Sequence, residues 1–409
     1  MTSNVLTIFK NNPSKTLIGK LTFNSAGVAF EYHPTYLSDP NSIPINPFHL
    51  PLNASGSSFT ETKLEGALGV FGDALPGKWG RCVLEKLHNC SLPDSEVLLI
   101  SQADRIGDLI FSKTKQYPSL SNDGSAINFE WEELLVAKDC IENHHALTDK
   151  QKLWLKQGSS QGGARPKISV MRDGVLFMAK LPSIHDYRLN VAQIEHGTLC
   201  LAKHCGIRAA ESELIKVGDK DILLVKRFDR DEYQSIPYLS LASVCGLRSG
   251  SEGSYLQFAQ EMARVGATDD LTELYKRMVF NILVSNKDDH AFNHGILFKD
   301  NQWRLSPAFD IVAGEGQSRM QSLRVGDFNR ESTLRNALSR SQDFRLTKEQ
   351  ARQIIDTMVD AIKDRQQVFL DNGVSEAMVD EIGWAIAHGD VFSGYGGLAV
   401  DDLEDRRLV

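Results

Sequence analysis

Asn286-Lys287-Asp288-Asp289-His290-Ala291-Phe292-Asn293 follows directly on the strongest helical pattern in the chain. In residues 271–283, Leu271, Leu274, Tyr275, Met278, Val279, Ile282 and Leu283 recur at i, i+3, i+4, i+7, i+8, i+11 and i+12. That spacing predicts an amphipathic helix, with Asp269 or Asp270 placed to cap its start. Asp288 and Asn293 stand in the D-x-x-x-x-N spacing of a kinase catalytic loop, where the Asp accepts the proton of the attacking hydroxyl and the Asn holds Mg²⁺. Seventeen residues further on, Asp310 lies in the short run Leu305-Ser306-Pro307-Ala308-Phe309-Asp310-Ile311 and supplies a candidate second metal carboxylate. Asp288 is thus the candidate catalytic base, and Asn293 and Asp310 are the candidate metal ligands. The plainer alternatives are a helix-end cap for Asp288 and Asp289 and a turn for Asp310. His290 reads first as a residue that hydrogen-bonds the loop backbone.

Upstream, the same chemistry asks for a glycine-rich loop and then a strand lysine. Gly158-Ser159-Ser160-Gln161-Gly162-Gly163, followed by Lys180 in Phe177-Met178-Ala179-Lys180-Leu181, has that order. Glycines let backbone N–H groups approach anionic oxygens, and a lysine brings a point charge to phosphates. The loop does not match the Walker A pattern. Around it, residues 168–171 and 175–179 read as two strands joined by a hairpin at Arg172-Asp173-Gly174. Residues 189–205 read as a helix that carries Glu195, a candidate partner for Lys180. Residues 221–228 read as a further strand.

The remainder gives the organisation. Short apolar runs at 5–9, 18–21 and 28–30, broken by turn signals, predict a small antiparallel sheet. Val83, Leu84 and Leu87 recur at helical spacing, and the polar stretch 115–125 is the best linker candidate. From residue 254 the chain is mainly helical, and Thr347 with Gln350 forms a capping box ahead of a stripe at Ile354, Ile355, Met358 and Ile362. The fold class is α+β: a small β-rich N-terminal domain, then a protein-kinase-like bilobal domain with an all-α C-terminal lobe. The expected boundaries are 1–115, 116–235 and 236–409.

Composition narrows the function. In 409 residues, 45 Lys+Arg against 53 Asp+Glu give a net charge of −8, which argues against nucleic-acid binding by bulk charge. Hydrophobic residues at 42% can fill real cores. Six cysteines without CxxC spacing point away from a disulfide framework or zinc knuckle, towards a reducing cytoplasm. The N-terminal segment lacks a secretion pattern, and no 18-residue apolar run occurs, so neither export nor membrane spanning is expected.

The ordered motifs resemble the HipA family of serine/threonine kinases, toxins of bacterial type II toxin–antitoxin systems. The resemblance covers most of the chain. It rests on Phe71 to Arg81, Asp104 to Leu109, Ser160 to Lys167, residues 179–182, Glu195-His196 with 201–207, Lys226 to Arg230, Lys287 to Asn293 and Ser306 to Ile311. It implies that Asp288 is the catalytic base and that Asn293 and Asp310 hold Mg²⁺. For ATP it implies contacts from Lys180 and from the phosphate loop Ser160, Gln161, Gly162, Gly163 and Ala164. It further implies that the backbone around Lys226 holds the adenine, with Phe228 against the base, and His290 is counted in this nucleotide-binding set. Ser160 matches the loop serine that members autophosphorylate, a modification that switches them off. A phosphoserine of about −2 charge is a poor neighbour for triphosphate. Two departures stand out: Lys226 where an acidic residue is frequent, and Arg165-Pro166 where Gln-Glu is common.

The expected activity is therefore an ATP- and Mg²⁺-dependent protein Ser/Thr kinase, cytoplasmic. Its implied partners are a HipB-like DNA-binding antitoxin and an aminoacyl-tRNA synthetase substrate, with DNA reached only through the antitoxin. The alternatives are a small-molecule phosphotransferase of aminoglycoside-kinase type and a non-catalytic co-repressor bound to the antitoxin.

Overall fold

The computed structural model describes residues 4–52, 57–100, 104–120, 130–158, 162–186, 188–231, 234–314 and 319–396. The chain forms two compact units. The first comprises Met1–Tyr187, Ser212–Gly250 and Gly295–Asn301; the second comprises Arg188–Glu211, Ser251–His294 and Gln302–Val409.

Among the described residues, the two largest sheets of the first unit are antiparallel. β1 (Asn4–Lys10), β2 (Leu17–Asn24), β3 (Gly27–Tyr32), β4 (Phe59–Glu61) and β5 (Leu109–Ser112) run in the order β4-β3-β2-β1-β5. The period-2 pattern sends Leu6, Ile8, Leu21 and Phe30 inward, where each is fully buried, and Ile18, at the β1–β2 register shift, is buried too. The second sheet, in order β6-β7-β9-β8, is built from β6 (Lys167–Arg172), β7 (Val175–Lys180), β8 (Ser212–Val217) and β9 (Lys220–Lys226). Asp173 and Gly174, at φ 51° and 78°, make the β6–β7 turn that the Asp-Gly pair predicts. Ile168, Val170, Ala179 and Leu224 of this sheet share one core with Trp79 and Val83 from the helix Lys78–His88 and with Leu134 from the helix Trp131–Glu142.

In the second unit the helix Leu271–Leu283 has the bounds its periodicity predicts, and Leu274, Met278, Val279 and Ile282 are fully buried. Its N-cap is Asp270, but the carboxylate makes no capping bond. It accepts instead from Arg208, from Arg304 Nε at 2.8 Å and from the Leu305 backbone N–H at 2.9 Å. The two guanidinium partners outbid the helix end, because charge-assisted bonds in a partly desolvated site are the stronger ones. The Thr347–Gln350 capping box forms as read, ahead of the helix Lys348–Ile362. Where the sequence predicts an all-α lobe, strands Gly295–Lys299 and Gln302–Leu305 follow the 286–293 segment. Asp300 and Asn301, both at positive φ, turn the chain between them, a pairing that favours a tight hairpin-type turn. Among the described residues, no helix is long and apolar enough to cross a membrane.

Candidate active site

After the helix Leu271–Leu283 the chain reverses at Ser285, which takes a left-handed φ of 54° and donates its hydroxyl to the Ala385 carbonyl at 2.7 Å. The loop that follows is held by its own backbone. The Asp288 carbonyl accepts from the His290 N–H at 2.8 Å and from Asn293 Nδ2 at 3.2 Å, and the Asn293 N–H donates to the His290 carbonyl at 2.9 Å. Two consequences follow. Asp288 is exposed, and its carboxylate has no hydrogen bond or ion pair among the described residues, so its lone pairs are available to a substrate proton. Asn293 is buried with its amide nitrogen committed, which turns Oδ1 the other way as an acceptor.

Asp289, the neighbour of Asp288, faces inward and is 2% exposed. It accepts from the Tyr255 hydroxyl and from His294 Nε2 at 2.8 Å. Asn281 Nδ2 donates to the Tyr255 oxygen at 3.1 Å, and Asn286 Nδ2 donates to Asn281 Oδ1 at 3.0 Å. Burial, with the Asp289 charge beside it, pushes the Tyr255 phenol well above its ordinary range, so it stays a neutral donor. This fully buried chain of polar groups anchors the loop from beneath. The sequence reading missed it; the only signal was the second Asp in Asp288-Asp289.

Lys287, on the other side of Asp288, donates to Ser332 Oγ at 2.5 Å, and its carbonyl accepts from the Ser322 hydroxyl at 2.7 Å. Gln321 Nε2 also donates to Ser332 Oγ at 2.8 Å. These bonds fasten the 321–332 segment to the loop. Lys287 has no carboxylate partner among the described residues, and burial pushes its ammonium down to about 8.

Asp310 is half-buried and sits at φ 56°, a left-handed conformation that costs a non-glycine residue about 1–2 kcal/mol. Its flanks hold it there. Ala308 exchanges backbone bonds with Arg208 and Ala210 at 2.8 Å each. Ala313 donates to Thr198 Oγ1 at 3.2 Å, and Gly314 donates to the Val284 carbonyl at 3.0 Å, which ties this segment to the end of the helix preceding Asp288.

The donor set fits a hard divalent cation. Asn293 and Asp310 offer oxygen only, and among the described residues no group of three or more His, Cys, Asp or Glu is arranged to cage a metal. Mg²⁺ suits such a sparse set, because it is held by one or two protein oxygens and completes its shell with phosphates and water.

His290 departs from expectation. Among the described residues its ring does not bond the loop backbone, and Nδ1 is buried with no partner. The Asp288 carbonyl accepts from the His290 backbone N–H and from Asn293 Nδ2 instead.

In the first unit, Gly162, Gly163 and Ala164 are exposed; Ser160 and Gln161 lie outside the described residues. The Gly163 carbonyl accepts from the Trp79 N–H at 3.4 Å, and a Cβ on Gly77 would lie 2.1 Å from the Gly163 nitrogen. The 71–81 motif therefore seats the glycine loop, and Gly77 is a glycine because of that approach. Lys180 ends β7, directly opposite Lys167 on β6. Lys226 ends β9 opposite Phe177. Phe228 is half-buried against Ile236, Tyr238 and Leu297, with its ring 6.4 Å from that of Tyr238. Glu195 is 3% exposed on the helix Val191–His204 of the second unit.

A loop Asp, an Asn five residues on and a left-handed Asp on the next connection make up the candidate site. The chain belongs to the HipA family: residues 159–366, half of it, match the HipA-like C-terminal domain. It is similar to two Sinorhizobium fredii proteins named as kinases. It shares 24% identity with Y4mE over 341 residues, covering 76% of this chain and 79% of that one. With Y4dM it shares 27% over 156 residues, 34% of this chain and 38% of the relative's length. Among solved structures it resembles Shewanella oneidensis MR-1 HipA, determined in complex with HipB and operator DNA. That match has a TM-score of 0.66 and 16% identity, and covers 92% of this chain and 94% of the other. At that identity the likeness speaks for the fold.

Proposed function

We propose that the protein is an ATP- and Mg²⁺-dependent serine/threonine protein kinase, the toxin of a HipA/HipB-like pair. The observation that carries this reading is the exposed, uncommitted Asp288 carboxylate on a loop whose backbone is fixed by the Asp288 carbonyl and anchored through Asp289. Asp288 orients the acceptor hydroxyl and takes its proton. Asn293 and Asp310 supply the metal-binding oxygens. Lys180 and the loop Ser160, Gln161, Gly162, Gly163 and Ala164 receive the phosphates, and the Lys226 backbone with Phe228 receives the base; His290 belongs to the same set. ATP brings the transferable phosphoryl group and the metal neutralises its charge, so the protein's task is positioning and electrostatics. The family resemblance adds a cytoplasmic setting, a HipB-like antitoxin through which DNA is reached, an aminoacyl-tRNA synthetase as substrate, and autophosphorylation of Ser160 as the off-switch.

The test is intact mass and phosphopeptide mapping with and without Mg-ATP, beside Asp288→Gln. The reading requires one added phosphate at Ser160 in the unaltered chain and none in the variant. Equal phosphorylation of both would remove Asp288 from the mechanism. Absence of both transfer and ATP binding would favour the co-repressor alternative.

A further inference from the structure

Two motifs far apart in sequence, 104–109 and 226–230, form one object in the first unit. The Arg227 guanidinium grips Asp229 through Nε to Oδ1 and Nη2 to Oδ2, both at 2.6 Å. The same guanidinium reaches the Asp104 carbonyl at 2.7 Å and the Arg105 carbonyl at 3.1 Å. Arg230 adds bonds to Asp229 Oδ2 and to the Arg105 carbonyl, each at 2.6 Å. The Gly107 N–H closes the set by donating to Asp229 Oδ2 at 3.0 Å. Asp229 is 1% exposed and Arg227 6%. A buried carboxylate met by two guanidinium groups and a backbone N–H has its acceptor sites filled, the condition under which a buried ion cluster fixes geometry. What it fixes is the 104–107 backbone.

That backbone carries Ile106. Its side chain joins the apolar cluster of Ile236, Tyr238 and Leu297, against which Phe228 also packs. Phe228 lies between Arg227 and Asp229 in sequence, so the clamp sets its backbone, and Ile106 packs against the same three residues as its ring. We infer that Ile106 and Asp229 are positioning residues for nucleotide binding, which makes the N-terminal part of the chain a working component of the base-binding wall. The inference rests on the proposed placement of adenine against Phe228 and goes beyond it by assigning the role to a loop outside the kinase-like segment.

The experiment measures Kd for Mg²⁺ with the β,γ-imido analogue of ATP by titration calorimetry on the full chain, so that no turnover is needed. Four variants are compared: Ile106→Ala, Ile106→Leu, Asp229→Asn, and Leu64→Ala as an equal truncation elsewhere in the same unit. Loss of the Ile106 side chain from this cluster predicts binding weakened by about tenfold in Ile106→Ala. Ile106→Leu should restore it to within about twofold, and Leu64→Ala should match the unaltered chain. Asp229→Asn should weaken binding as well; if it fails to fold, the Ile106 pair still decides. Binding unchanged in Ile106→Ala, or weakened equally by Leu64→Ala, overturns the inference while the kinase reading stands. No binding by the unaltered chain overturns both.

Discussion

Asp288 and Asp289 are chemically identical neighbours with opposite fates: one carboxylate is exposed and has no partner among the described residues, the other is buried under Tyr255 and His294. Spacing to Asn293 singles out the first; nothing in the local pattern fixes the second, since its donor Tyr255 lies 34 residues upstream. Lys287 has the same character. Its folded-state ammonium is held at about 8, below the ordinary 10.5, because burial penalises the charge. Between those two pH values the unfolded chain binds the proton more tightly, so stability rises with pH across that window, and the penalty is fully present below it. Lys287→Met should therefore raise the melting temperature most at pH 7 and progressively less towards pH 10.5. Melting curves at a series of pH values check this, and a gain that grows with pH would contradict it.

Elements whose residues answer to one local rule were legible in the sequence. The helix Leu271–Leu283, the β6–β7 hairpin and the Thr347 capping box form as read, because each depends on side chains within a few positions of one another. Capping of the long helix by Asp270 was misjudged, since its competitors Arg208 and Arg304 lie far off in sequence. The helix Val191–His204 shows how packing reverses a local preference. Gly197→Ala should gain about 1 kcal/mol from helix propensity. A Cβ there, however, would meet Phe369 Cδ1 at 2.1 Å and Val374 Cγ2 at 2.7 Å, and both neighbours are themselves buried. Overpacking of this kind costs about 1–3 kcal/mol, so the expected net result is a lower denaturation midpoint. Beneath the catalytic loop, Tyr255→Phe removes the donor to Asp289 and the acceptor for Asn281. Leaving buried polar atoms unpaired costs about 1–3 kcal/mol, which thermal melting should show as a lower midpoint.

For the molecule as a whole, the cluster around Asp229 joins segments more than a hundred residues apart. Burial alone would raise the Asp229 carboxyl, but Arg227 and Arg230 outweigh it and hold the group at about 2. The unfolded value is about 3.9. A lowered folded-state pKa contributes stability that is fully present above the unfolded value and is lost as pH falls from about 4 towards 2. Acid unfolding followed by circular dichroism should therefore show a steep loss in that window for the unaltered chain. Asp229→Asn should be less stable at neutral pH and flatter through the same window; an unchanged acid profile would mean that the cluster contributes little.

The sequence by itself determined the elements with local codes and the order of the chemistry-bearing motifs, because periodicity, turn residues and the Asp288–Asn293 spacing depend on neighbours along the chain. Only the tertiary structure decided which of two adjacent aspartates faces solvent, why Asp310 is left-handed, why Gly77 must be glycine, and that the 104–109 and 226–230 motifs are one clamp. Those outcomes depend on burial and on partners brought together by folding. Desolvation and hydrogen-bond competition, which no linear pattern encodes, set them.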